Sequence, residues 1–98
     1  MKAALVARTR IVCAENAFAE LVLRKVPSPF AGSTHPFKYR LAYVVDGVRV
    51  VRYDHEVGKG DHRHFGHKES DYPFSTPDAL LAAFERDIAR WNRENSDS

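Results

Sequence analysis

The chain has 98 residues, 44% hydrophobic and 11% aromatic, with a formal net charge of +2. That length makes a single domain, 1–98, with room for about one sheet and one helix around a modest core. The lone cysteine, Cys13, excludes an internal disulfide framework. No apolar run approaches the ~20 residues of a membrane span, and Arg8 and Arg10 interrupt the apolar start too early for a secretion signal. The expectation is a cytoplasmic protein held together by packing.

In chain order, Leu5–Cys13 and Ala17–Val26 are rich in Val, Leu, Ile and Phe and read as a hairpin around Ala14-Glu15-Asn16. Pro27-Ser28-Pro29 and Gly32-Ser33-Thr34-His35-Pro36 mark a loop, and His35 reads as an ordinary member of it. Phe37–Val45 and Val48–Tyr53 flank Asp46-Gly47, a strong type I′ hairpin signal. A further short strand is expected over His62–His67. Ser75-Thr76-Pro77-Asp78 then supplies a hydroxyl cap and an early proline for one helix, Pro77–Trp91. Leu80, Leu81, Phe84, Ile88 and Trp91 form its apolar stripe, with Phe84 and Trp91 expected to be buried against the sheet. The tail 95–98 is polar and expected to fray. The fold class is α+β: an antiparallel sheet of about four to five strands with one C-terminal helix packed on one face.

Charge is uneven. Lys38 to Lys68 holds seven Lys/Arg, four Asp/Glu and four of the five histidines, which suits a polyanion such as RNA. A tight Asp46-Gly47 turn with unbroken register pairs Arg40 with Tyr53 and Lys38 with His55, gathering these four on one face. The glycine-flanked stretch Gly58-Lys59-Gly60-Asp61-His62-Arg63-His64-Phe65-Gly66-His67 follows, with His62 and His64 on one side of an extended segment.

Three chemistries fit. In the first, RNA is cleaved without a metal or other cofactor. His62 and His64 exchange protons, Lys38 and Arg40 stabilise the developing charge, and Tyr53 stacks or donates a proton. Lys59, Arg63, Arg52 and His55 would hold RNA or phosphate. In the second, His62, His64 and His67 bind a divalent metal, with Asp61 as a further ligand, although no closed ligand set is evident. In the third, the segment is a solvated basic surface.

Phe37-Lys38-Tyr39-Arg40, then Arg52-Tyr53-Asp54, then Gly60-Asp61-His62-Arg63-His64 with Gly66 behind it, resemble the TumE family of toxin–antitoxin proteins. The likeness spans nearly the whole chain in order and carries over to Lys38, Tyr39, Arg52, Tyr53, Asp54, His62, Arg63 and His64. His55 departs from it, standing where the family usually has Asn. The resemblance implies a small toxin masked by a cognate, DNA-binding antitoxin and acting on RNA or translation. The alternative is a non-catalytic RNA- or protein-binding module on the same basic face. Self-association is left open.

Overall fold

The computed structural model describes residues 4–26, 35–56 and 60–95. Six strands precede one helix: β1 (Ala4–Ala14), β2 (Ala17–Lys25), β3 (Phe37–Val45), β4 (Val48–Glu56), β5 (Gly60–Phe65), β6 (Lys68–Asp71) and α1 (Pro77–Glu94). The strands pair in chain order, each antiparallel to the next. The α+β class is as expected, with six strands in place of four to five.

The difference lies in the histidine segment. The strand expected over His62–His67 ends at Phe65, turns at Gly66-His67 and returns as β6. Gly66 has φ +59° at the first central position of this two-residue turn, where a type II′ geometry needs a positive value. The returning strand, Lys68-Glu69-Ser70-Asp71, is exposed throughout and carries no hydrophobic alternation to announce it. The Asp46-Gly47 turn is as read, with φ of +52° and +79°.

Beyond that turn the register departs from the expected one. Val45 pairs with Val48 and Val44 with Arg49, but Tyr43 pairs with Val51, leaving Val50 as an extra residue. This β-bulge shifts the rest of β4 by one position, so Leu41 meets Tyr53 and Arg40 meets Asp54. Val51 is fully buried and Val50 packs against the same core. The expected pairing of Arg40 with Tyr53 and of Lys38 with His55 is therefore corrected: the bulge sends Tyr53 and His55 to the opposite face from Lys38 and Arg40.

The helix lies over one face of the sheet, chiefly on β4. Its start is fixed by Thr76, whose hydroxyl accepts from the Ala79 amide at 3.1 Å, with Pro77 in the first turn. The helix runs one turn beyond Trp91, to Glu94. Leu80, Ala83 and Phe84 are its buried apolar residues, packing with Leu41, Tyr43 and Val51. Trp91 packs against the core as expected but is only half-buried, meeting Tyr43 edge-on at a centroid distance of 6.1 Å. Trp91 stays in line with Leu80, Phe84 and Asp87 on that stripe and lies three residues from the helix's last residue, Glu94.

No helix among the described residues is long and apolar enough to cross a membrane. Phe84, 1% exposed, is the helix's main anchor. Phe84→Ala should lower unfolding free energy by about 3–5 kcal/mol in a denaturant titration. A midpoint matching the parent protein would mean the helix does not dock through this ring.

Candidate functional site

The uncovered face carries two rows of polar side chains. Arg40, Asp54 and His62 align across β3, β4 and β5, and Ala42, Arg52 and His64 align beside them. Lys38 lies two residues before Arg40 on the same face of β3, and both are exposed. The structure thus brings Lys38, Arg40, Arg52, His62 and His64 to one surface. On β6, Asp71 and Glu69 pair with His62 and His64.

Proton positions follow from the partners. Arg52 Nη2 lies 3.0 Å from His64 Nε2. A guanidinium only donates, so Nε2 accepts and Nδ1, 4.0 Å from Glu69 Oε2, is the ring's donor. His62 Nδ1 lies 3.5 Å from Glu69 Oε1 and 3.8 Å from Asp71 Oδ1. Both imidazoles thus face Glu69, and His64 also meets the Arg52 guanidinium.

On the helix face, Tyr53 is 1% exposed and donates to Asp87 Oδ2 at 2.6 Å. Arg63 clasps the same carboxylate, Nε to Oδ2 at 2.6 Å and Nη2 to Oδ1 at 3.0 Å, and its Nε also reaches the Tyr53 hydroxyl at 3.0 Å. Burial, with the Asp87 carboxylate second, holds the Tyr53 phenol well above its ordinary range. The hydrogen bond to Asp87 raises the Arg63 guanidinium further. Tyr53 and Arg63 therefore tie α1 to β4 and β5, away from the surface that bears His62 and His64.

A second buried group sits where β3, β4 and β5 meet near His35. His35, expected as an ordinary loop residue, is buried, with the Phe74 ring stacked on it at 3.9 Å. Its Nδ1 accepts from the Phe37 amide at 3.1 Å, and its Nε2 lies 2.7 Å from Asp61 Oδ2. Tyr39 donates to the same oxygen at 2.9 Å. His55 Nε2 stands 3.7 Å from Asp61 Oδ1. Burial lowers the His55 pKa, partly offset by Asp61, while burial and then Asp61 raise that of Tyr39. His55 is thus no surface phosphate ligand. Its ring, with His35 and Asp61, makes a set able to hold a cation.

His67 falls on the β5–β6 turn and is exposed, between the strands rather than beside His62 and His64. Lys59 lies outside the described residues. The missed residues had different visibility. Asp87 is an acid in the middle of an apolar stripe, an anomaly readable from the sequence. His35 meets Asp61 across 26 positions, and nothing local signals that meeting.

A six-strand meander closed by one helix, with basic and imidazole side chains on its bare face, defines a small α+β domain built to present one polar surface. The family model described as "Toxin TumE" matches residues 2–92, and the chain belongs to that family. It is the toxin component of a toxin–antitoxin pair, with an antitoxin as its partner. No curated protein and no solved structure matches the chain.

Removing one member of the Arg63–Asp87–Tyr53 link leaves buried polar groups unpaired. Asp87→Ala should cost about 3–5 kcal/mol of stability by chemical denaturation, whereas a loss below about 1 kcal/mol would place the link among weak surface pairs. The raised Tyr53 phenol adds a pH signature. Because its folded pKa exceeds the unfolded value of about 10, its contribution is complete below about pH 10. It is lost as the pH rises from there toward the folded pKa. Denaturation midpoints measured from about pH 8 to about pH 11 should fall at the alkaline end, and less steeply in Tyr53→Phe.

Proposed function

We propose that this toxin acts on RNA as a metal-independent endoribonuclease, using the uncovered face of β3–β5. The observation that carries the reading is the placement of His62 and His64 as neighbours on one face, with Glu69 near both rings and the Arg52 guanidinium on His64 Nε2. Cleavage by an adjacent ribose 2′-hydroxyl needs a proton acceptor at that oxygen, a proton donor at the departing 5′-oxygen, and cations for the phosphorane charge. A phosphate drawing the Arg52 guanidinium onto itself uncovers His64 Nε2, which then takes the 2′-hydroxyl proton. His62, whose Nδ1 faces Glu69 and Asp71, supplies a proton to the leaving oxygen. Arg52, Arg40 and Lys38 bear the phosphate, and Asp54 keeps the Arg40–His62 row in order. Arg63 and Tyr53, tied to Asp87, position β5 rather than touch RNA. A DNA-binding antitoxin that covers this face would silence it.

The second reading is a module that binds RNA or a translation protein through the same cations without cleaving. It is favoured by Arg40 and Lys38 being the most exposed members of the site. The two differ in what His64→Gln does, because glutamine keeps size and hydrogen bonding and loses the proton exchange. Under the catalytic reading the variant folds normally, yet RNA cleavage falls by about 10²–10⁴-fold and growth arrest is lost. The parent rate should follow a bell-shaped pH profile with limbs in the histidine range, and cleavage should weaken steeply as salt rises. A folded His64→Gln that still arrests growth, while Arg52→Ala and Arg40→Ala do not, would establish the binding module instead.

A further inference from the structure

We propose that His35, His55 and Asp61 form a binding site for one divalent transition-metal ion of the zinc class, on the helix side of the sheet and separate from His62 and His64. Each residue offers one ligand atom, and the three atoms lie within 4.8 Å of one another. Around a tetrahedral ion with bonds of about 2.0–2.1 Å, ligand atoms stand roughly 3.3 Å apart. The widest gap must therefore close by at most roughly 1.5 Å, within the reach of side-chain rotation. The close pair, His35 Nε2 and Asp61 Oδ2 at 2.7 Å, would open slightly.

The backbone holds the set in place. His55 and Asp61 are directly opposed in the β4–β5 pairing, and His35 enters β3 beside them. Their side chains are 0%, 9% and 11% exposed for His55, Asp61 and His35, so an ion here competes with little water. Phe74 backs the His35 ring, with Phe37 and Tyr39 nearby. The Tyr39 hydroxyl, donating to Asp61, orients the carboxylate as outer-shell donors do in metal sites. Two imidazoles and one carboxylate leave a fourth position for water or an anionic group, the ligand number of open rather than closed zinc sites.

Metal binding has a structural consequence that a simple proton network lacks. Without metal, the Phe37 amide donates to His35 Nδ1, so the ring's proton sits on Nε2, toward Asp61. Ligation through Nε2 moves that proton to Nδ1, where it confronts the Phe37 N–H. Two hydrogen bonds, Nε2–H to Asp61 and Phe37 N–H to Nδ1, are exchanged for a metal–nitrogen bond, and the Phe37 amide must find another acceptor.

The test titrates zinc, and cobalt as a spectroscopic substitute, into the metal-stripped 98-residue chain. Calorimetry should give one saturable site per chain, visible cobalt absorption should report tetrahedral coordination, and the Phe37 amide resonance should shift on zinc binding. His55→Ala and Asp61→Asn should abolish the site, and Tyr39→Phe should weaken it by roughly 10- to 100-fold. The paired change His62→Ala/His64→Ala should leave it intact, which separates this proposal from the cleavage chemistry. Absence of saturable binding by the parent chain would overturn it, as would a site lost with His62 and His64 but kept in His55→Ala. Should the ligand variants fail to fold, the parent spectrum decides: zinc that leaves Phe37 unmoved sinks the proposal.

Discussion

The single extra residue at Val50 decides which side chains can work together. Strand side chains alternate between faces, so a one-residue shift exchanges the entire set beyond it. With the bulge, Val51, Tyr53 and His55 join Tyr39, Leu41 and Tyr43 beneath the helix. Arg52 and Asp54 come out beside Lys38 and Arg40. An unbulged β4 would have placed Arg52 and Asp54 on the Leu41 face and left Tyr53 outside, with two charges under α1 and no partner for Asp87. The Gly66 amide donates to the Val50 carbonyl at 2.8 Å, so the β5–β6 turn is tied to the bulge itself.

Given that arrangement, α1 is held by two kinds of contact. Leu80 and Phe84 bury apolar surface against β3 and β4, a non-directional attraction that tolerates sliding. The Arg63–Asp87–Tyr53 link is directional and fixes how the helix sits along the strands. A buried pair of this type is weak evidence for added stability, because desolvation offsets most of its attraction. Its evident effect is positional. It holds β5 at Arg63, between His62 and His64 on the other face.

Much of this architecture was legible. Asp46-Gly47, the cap at Thr76-Pro77 and the stripe through Leu80 and Phe84 each carry a local physical signal, and each appears where read. The bulge also had a signal: Val48-Arg49-Val50-Val51-Arg52 breaks strict alternation with a doubled valine. A tight turn followed by perfect register was the simpler inference, and it misplaced Tyr53 and His55 while keeping Lys38, Arg40, His62 and His64 together. Strand β6 could not be read, because four polar residues on an exposed edge carry no pattern. Such short, charged edges guard against unwanted pairing, so the absence of a hydrophobic signal is itself physical. The His35–Asp61 meeting is tertiary, set by where the chain re-enters the sheet.

β5 is where the two faces converge. Its residues alternate Asp61, Arg63 inward and His62, His64 outward, so both sides of one strand are polar. An antiparallel strand covered on one side ordinarily reads apolar-in and polar-out. Here the inward positions meet buried partners instead, Asp61 with His35 and Tyr39, Arg63 with Asp87 and Tyr53. Filling those positions with aliphatic side chains would be the simpler route to a stable core, since buried ion pairs often do no better than hydrophobic replacements. Directional anchors on the reverse side of β5 fix the strand that carries the two outward imidazoles. The polar interior of β5 is therefore the fixed backing of His62 and His64, half-buried on the other face.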